Sequence, residues 1–496
     1  MSLLLADLNR AQRRGQIEYR ARGIDTSAAR ACPLTTPMGR SCPQCRVGWV
    51  SRVPGCEARA RILPAARCLL SRASMETTRH LIAAAMIGAL TACSSGSSQG
   101  HTGQGGDSTA PGVGGTGGTQ PADGGVDASP PAHLPNPILA DLPDNTALDL
   151  GGYACDQPAD DPGGCGAITD YSRFNYDPVT HRLLMFGGGH AGRTGTDVVA
   201  FDFITLKWSS LYPSVLCADM IPDNWDPATS SWKATSNGTS SPVARHTWDM
   251  MVVMDVAGAH QLVIITSGGV SGTKPETCGA PKPPFPEVPF YGPMLRYDIS
   301  ASTWTYGTKS MDGLFYYANA AEADPISHKI VVLGSEGLQL FDPSTESAEL
   351  LTGAPSGLGY SNNLVYFPPN DRFYYIARGT PTKVFEVQVD RANPAASSIT
   401  ELTTTGAPHT EESGWAYDAA NHVIGGGVTD GVFHALDPIT RAWTSRTMAV
   451  APADGGGAVG TVAFHALDYD PVDNVYLFLT DYASGRRTWA YRYHAP

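Results

Sequence analysis

From Tyr171 to the end of the chain, short apolar runs alternate with turn clusters, and the runs fall into groups of four. The segment 171–211, YSRFNYDPVTHRLLMFGGGHAGRTGTDVVAFDFITLKWSSL, shows the unit most clearly. An alternating run reaches Tyr176 and turns at Asp177-Pro178. A second, apolar run ends at Gly187-Gly188, DVVAFD forms a third, and a fourth carries Trp208. Runs of four to eight residues bounded by Gly, Pro and Asp predict strands, so each group of four predicts one small antiparallel sheet. Weaker copies follow at 246–307, 316–351, 361–404 and 413–447. A sixth begins at Thr461 and stops at Pro496 one strand short. Either Ile138 to Leu142 or Asn145 to Leu150, ahead of the first group, is available to supply the missing strand.

The unit resembles the Kelch repeat: a double glycine after the second strand, an aromatic-Asp pair ending the third and a Trp in the fourth. The likeness spans residues 135–496. It is strong in the first and fifth copies and weak in the third and fourth, which lack the double glycine and the Trp. It implies an all-β fold, a six-bladed β-propeller of Kelch type whose last blade is completed by an N-terminal strand. Such closure removes the sheet edges that invite aggregation. A seventh blade within 212–243 is the alternative.

The chain before the repeats reads differently. Residues 1–74 hold thirteen Arg, no Lys and four acidic residues, a formal +9 that leaves −22 of the net −13 on the remainder. They have no sustained hydrophobic period, which predicts an unstructured upstream extension. Met75 to His80 then forms a short, basic leader, LIAAAMIGAL (81–90) an apolar core, and Leu90-Thr91-Ala92-Cys93 a cleavage site. Residues 75–93 thus resemble a bacterial lipoprotein signal peptide with Cys93 as the lipidated residue. Residues 94–134 are rich in Gly, Ser, Thr and Pro and contain no aromatic. They predict a flexible tether, because such a segment buries too little apolar surface to offset its ordering entropy. The expected location is the cell envelope, with membrane contact through the lipid alone and a monomeric propeller outside.

Export changes the reading of the cysteines. After Cys93 only Cys155, Cys165, Cys217 and Cys278 remain, an even number in an oxidising compartment. The expected disulfides are Cys155 with Cys165 and Cys217 with Cys278. The acidic balance of the folded part excludes a nucleic-acid partner, since phosphate contacts need clustered Lys and Arg.

In a propeller, loops entering the first strand and loops joining the second to the third share one face. The insertions 212–243 and 271–292 belong to that face, and long loops on a rigid scaffold carry function. Tyr171, Arg173, His190, Arg245 and His246 fall there, followed around the mouth by Tyr316, Tyr317, Asn362, His409, Trp415 and Asp430. These predict a ligand site for a polysaccharide or protein, with no cofactor and no metal. His190, His246, Arg245 and Tyr171 are also the equipment of a lyase acting on acidic glycans, which must neutralise a carboxylate and move the adjacent proton. A structural envelope lipoprotein is the third reading. His465, inside a strand, is expected to pack in the core. Galactose oxidase shares Kelch-like blades, but its copper chemistry needs a Cys-Tyr crosslink that the paired cysteines here do not suit.

Overall fold

The computed structural model describes residues 133–153, 172–187, 196–229, 231–233, 240–243, 245–265, 292–311, 319–355, 358, 362–410, 413–451, 458–480 and 486–494. All lie in the second of two compact units, Pro121–Pro496. The proposed extension and signal peptide, including Cys93, and the tether up to residue 132 lie outside these residues; His133 and Leu134, its last two, are described.

Strand β1 (Thr146–Gly152) is followed by sheet I: β2 (Asn175–Asp177), β3 (Arg182–Met185), β4 (Val198–Asp202) and β5 (Lys207–Tyr212). Three two-residue strands, β6 (Trp225–Asp226), β7 (Ser231–Trp232) and β8 (Ser241–Pro242), form a small sheet of their own. Sheet II is β9 (Met251–Val256), β10 (Ala259–Ile264), β11 (Pro293–Asp298) and β12 (Thr303–Ser310). Sheet III is β13 (Ala320–Asp324), β14 (Lys329–Gly334), β15 (Gly337–Asp342) and β16 (Ser347–Thr352). Sheet IV is β17 (Asn363–Phe367), β18 (Arg372–Ala377), β19 (Lys383–Gln388) and β20 (Ser398–Leu402). Sheet V is β21 (Trp415–Asp418), β22 (Val423–Thr429), β23 (Val432–Asp437) and β24 (Ala442–Thr447). Sheet VI has five strands: β26 (Val462–Asp470), β27 (Val475–Thr480), β28 (Arg487–Arg492), β1 and, parallel to β1 at its edge, β25 (Ala449–Val450).

Four of the hairpins that join a first strand to a second follow one local rule in the sequence. An Asp at the end of one strand accepts from the backbone N–H two residues on, and the residue before the next strand adopts positive φ. Asp177 accepts from Val179, Asp324 from Ile326, Asp418 from Ala420 and Asp470 from Val472, while His181, His328, His422 and Asn474 are the left-handed residues. An Asx turn closed by a left-handed residue is a compact way to reverse a strand.

The second strand of each sheet is buried on both faces, which is why it reads as an unbroken apolar run rather than an alternation. Leu183 and Met185 of β3 pack toward Leu477 and Leu479 of sheet VI. Leu184 and Phe186, on the opposite face, pack toward Leu262 and Ile264 of sheet II. Comparable apolar clusters fill the gaps between sheets II and III, III and IV, IV and V, and V and VI. The first strands also touch in cyclic order, β2 to β9, β13, β17, β21, β26 and back to β2. The described residues therefore form a propeller-like ring of antiparallel four-stranded sheets, the last extended by the parallel strand β25, around an axis.

The ring closes through the N-terminal side. β1 pairs antiparallel with β28, Thr146 opposite Arg492 and Ala147 opposite Tyr491. Of the two candidate closing strands, the one beginning near Asn145 takes this role; residues Pro137–Ala140 instead form a single helical turn capped by Asn136. Among the described residues of the insertion after β5, the strands formed are the three short ones of the small sheet. β6, β7 and β8 gather around a private cluster of Val215, Met220, Trp225, Trp232 and Val243, while β2 and β9 contact each other directly. Cys217 in that insertion is disulfide-bonded. Cys155, Cys165 and Cys278 lie outside the described residues.

Candidate functional site

A cavity of about 210 Å³ sits on the axis, lined by residues from all six first strands or the residues leading into them. Sheet I contributes Arg173, Asn175 and Tyr176, sheet II Val253, sheet III Glu322, sheet IV Val365 and Tyr366, sheet V Trp415, Ala416 and Tyr417, and sheet VI Asp468. The first strands pack against one another in cyclic order, so polar residues along them can meet at the axis.

A buried polar network crosses this axis. Arg173 donates from Nη1 to the Ala321 carbonyl (3.0 Å), from Nη2 to Glu322 (3.3 Å) and from Nε to the Phe174 carbonyl (3.2 Å). Its Nη1 also lies 3.1 Å from Asp249 Oδ1. Asp249 in turn accepts from Asn363 Nδ2 and from the Leu364 N–H, both at 2.7 Å. Asn363 Oδ1 meets His465 Nδ1 at 3.3 Å. One continuous chain thus joins sheets I, II, III, IV and VI.

Burial sets the charge states. Desolvation pushes Asp249 up to about 7 against the opposing pull of Arg173. Asp468 is pushed up to about 6 for the same reason, again opposed by Arg173. His465 falls to about 3 through burial and then the charges of Arg173 and Arg378, so it is a neutral imidazole. Tyr366 and Tyr417 are both raised by burial, then by Asp371 and Asp418 respectively. Their hydroxyls stay protonated and are already partnered, Tyr366 donating to Asp371 at 3.1 Å and Tyr417 meeting His422 Nδ1 at 2.9 Å. Asn175 is 4% exposed, and its Nδ2 has no hydrogen-bond partner among the described residues. A buried amide N–H without an acceptor costs about 1–3 kcal/mol, so it is a donor poised for a ligand.

The arrangement offers aromatic faces, carboxylates that accept in pairs and one unspent amide donor. Its only guanidinium, among the described residues lining it, is already bonded to protein oxygens. The cavity therefore favours neutral or cationic groups over anions.

Of the residues expected at a ligand site, Arg173 and Trp415 meet in this cavity. Arg173 is a strut of the network more than an open contact. Asn362 lies buried beside it, donating to the Tyr375 hydroxyl at 2.6 Å and accepting from the Arg378 N–H at 3.1 Å. Arg245 is 1% exposed and donates to the Pro293 carbonyl at 2.7 Å. Its guanidinium is pulled down to about 10 by desolvation. His246 is buried with its ring 4.6 Å from that of Trp248. Asp430 stands at a hairpin, accepting from Thr461 at 3.2 Å, and His409 contacts the Gly379 carbonyl; neither lines the cavity. Tyr171, His190, Tyr316 and Tyr317 lie outside the described residues. His465 is fully buried, as its place in a strand predicts, but in the polar network rather than in apolar packing.

Asn175, Asp249, Glu322, Asn363 and Asp468 were not singled out by the sequence. Each is a polar residue in or just before an otherwise apolar first strand, and that recurrence is the signal that could have found them.

The sequence matches no protein-family model and no curated protein. Solved structures with β-propeller-like folds align over much of the chain. An auxiliary nutrient binding protein from Bacteroides ovatus shares 13% identity, covering 68% of this chain and 75% of its own, with a TM-score of 0.39. A gluconolactonase from Xanthomonas campestris shares 9%, covering 71% and 99%, with a TM-score of 0.39. An oligogalacturonate lyase from Vibrio parahaemolyticus shares 9%, covering 66% and 77%, with a TM-score of 0.34. Together fold and cavity define a class: an all-β, propeller-like protein with a polar axial pocket.

Proposed function

We propose that the chain is an exported, lipid-anchored binding protein, a six-bladed Kelch-type propeller that takes one ring-sized unit of a neutral glycan into its axial cavity. The observation that carries this reading is the unspent Asn175 amide facing a pocket that also offers Trp415, Tyr366, Tyr417, Glu322 and Asp468. Sugar rings present apolar faces that stack on aromatic side chains and hydroxyls that donate to carboxylates. At about 210 Å³ the cavity is below the roughly 300–1,000 Å³ of typical small-molecule sites, which suits a terminal residue of a chain better than its interior.

An acidic glycan fits less well. Its carboxylate would face Glu322 and Asp468, and Arg173 is held by three protein oxygens in addition to Asp249. The six cyclic contacts between first strands and the closing pair β1–β28 support the blade count.

A glycan array read with the full chain tests the proposal. Retention on neutral glycans, lost by at least tenfold in both Trp415→Ala and Asn175→Leu with folding preserved, is the expected outcome. Exclusive retention on uronic-acid polymers, or appearance of unsaturated product from them, would overturn it in favour of the lyase.

A further inference from the structure

Away from the axis, at the seam where the ring closes, His181, Asp470 and Asp473 meet in the interior. His181 belongs to the β2–β3 hairpin of sheet I, and both aspartates to the β26–β27 hairpin of sheet VI. All three side chains are 0% exposed. His181 Nε2 stands 3.0 Å from Asp470 Oδ2 and 3.7 Å from Asp473 Oδ2.

The two carboxylates are oriented alike. Asp470 Oδ1 accepts from the Val472 N–H at 2.9 Å, and Asp473 Oδ1 accepts from the Asn136 N–H at 2.6 Å. Each therefore has one oxygen pinned by backbone and presents the other, Oδ2, to the same point as the imidazole. Asp473 Oδ2 has no hydrogen-bond partner among the described residues, although Asp473 is 2% exposed. The ring of His181 is itself fixed, stacked between His133 at 5.0 Å and Phe203 at 5.1 Å.

Charge balance is the second argument. Two carboxylates brought together in the interior oppose each other's ionisation: burial and the neighbouring Asp470 push Asp473 up to about 7. Against burial, Asp470 and Asp473 hold the His181 imidazole above its usual range, while its Nδ1 finds no acceptor among the described residues. A divalent cation with a neutral imidazole and two carboxylates balances to zero. Ligand atoms 2.0–2.2 Å from a tetrahedral ion lie about 3.3–3.6 Å from one another. The observed 3.0 and 3.7 Å bracket that spacing, and all three donor atoms lie within 4.8 Å of each other.

We propose that His181, Asp470 and Asp473 form a structural site for a divalent metal ion of the zinc class, which clamps the first sheet to the last. The N-terminal turn joins the clamp, since Asn136 orients Asp473 and Arg492 donates to the carbonyls of both Leu139 and Asp473 at 2.8 Å. The sequence reading had placed no metal in the chain. The repeat hides the site, because each of its residues stands at an ordinary hairpin position.

The test uses the full chain stripped with chelator and titrated with Zn²⁺. Intact protein is expected to bind one more tight ion per chain than either Asp473→Asn or His181→Gln, with thermal unfolding shifted upward on loading only in the intact protein. Asp468→Asn, in the axial cavity, serves as the control and should load like the intact chain. Should a variant fail to fold, Co²⁺ on the intact chain decides. Intense visible bands of a four- or five-coordinate ion without thiolate charge transfer support the site; only the weak spectrum of the aqueous ion overturns it. Equal stoichiometry in intact protein and folded variants overturns it as well, and would leave a buried His-Asp ion pair.

Discussion

Arg173 Nη1 stands 3.1 Å from Asp249 Oδ1, with the two side chains 9% and 1% exposed, and this pair ties the entry of sheet I to the entry of sheet II at the axis. The pair does not stand alone. Asp249 is also held by Asn363 and the Leu364 N–H, and Arg173 by carbonyls of two sheets, so neither group is left without compensation. Removing one partner strands the other. Arg173→Ala is expected to destabilise the fold by about 3–5 kcal/mol, the usual cost of breaking a buried ion pair from one side. Chemical denaturation of the two proteins reads the difference. A loss below 1 kcal/mol would mean that water reaches the axis and screens the pair.

The axial carboxyls also impose a pH dependence with a definite sign. Asp468 titrates near 6 in the folded chain, raised by burial, and near 3.9 when unfolded. Between those values the folded state binds more protons than the unfolded one, so this group's contribution to stability falls as pH rises from about 4 to 7. Asp468→Asn removes the effect. The melting temperature of the variant relative to the parent should therefore be higher at pH 8 than at pH 4.5. A difference that is flat with pH would show that Asp468 is solvated.

The outer hairpins behave in the opposite sense. Arg391 bridges Asp324 of sheet III and Asp371 of sheet IV with four bonds of 2.8–2.9 Å. Asp324 is lowered chiefly by its hydrogen bond to Arg391, against burial that acts to raise it. A depressed carboxyl contributes stability above its unfolded value and loses it as pH falls through the folded one. Arg391→Ala should cost about 1.5–3 kcal/mol at neutral pH, as hydrogen bonds to charged groups do. It should also move the acid-unfolding midpoint upward. Circular dichroism followed down a pH titration checks both.

The double glycine has a packing reason at its first member. Gly187 has φ +104°, and a Cβ there would lie 2.5 Å from the Arg245 carbonyl and 2.9 Å from Ser172 Oγ. Gly187→Ala meets backbone that cannot move away, in a conformation costing about 1–3 kcal/mol for an L-residue. Gly152 is the control, since its nearest neighbour to an added Cβ is the Arg486 carbonyl at 3.8 Å. Differential scanning calorimetry should show a clear loss for the first and a change within about 0.5 kcal/mol for the second.

What the sequence determined by itself is the set of strands and their grouping. An Asp opening a turn, a left-handed residue closing it and an apolar run buried on both faces are local instructions, and β2 to β5 or β21 to β24 can be read from them directly. Trp415 and Arg173 were also legible, because they stand out at the start of a first strand. Arg245 and His246 stood out equally, yet both are buried, Arg245 against the Pro293 carbonyl and His246 against Trp248, which no local pattern reports. The tertiary structure alone decided which polar residues meet. Arg173 and Asp249 are 76 positions apart and Asn363 and His465 are 102 apart. Ring closure brings them to one axis, and it sets His181 against Asp470 and Asp473 across 289 and 292 positions at the seam. Strand formation follows from neighbours along the chain, whereas the chemistry of the axis and the seam follows from the cyclic order in which the sheets pack.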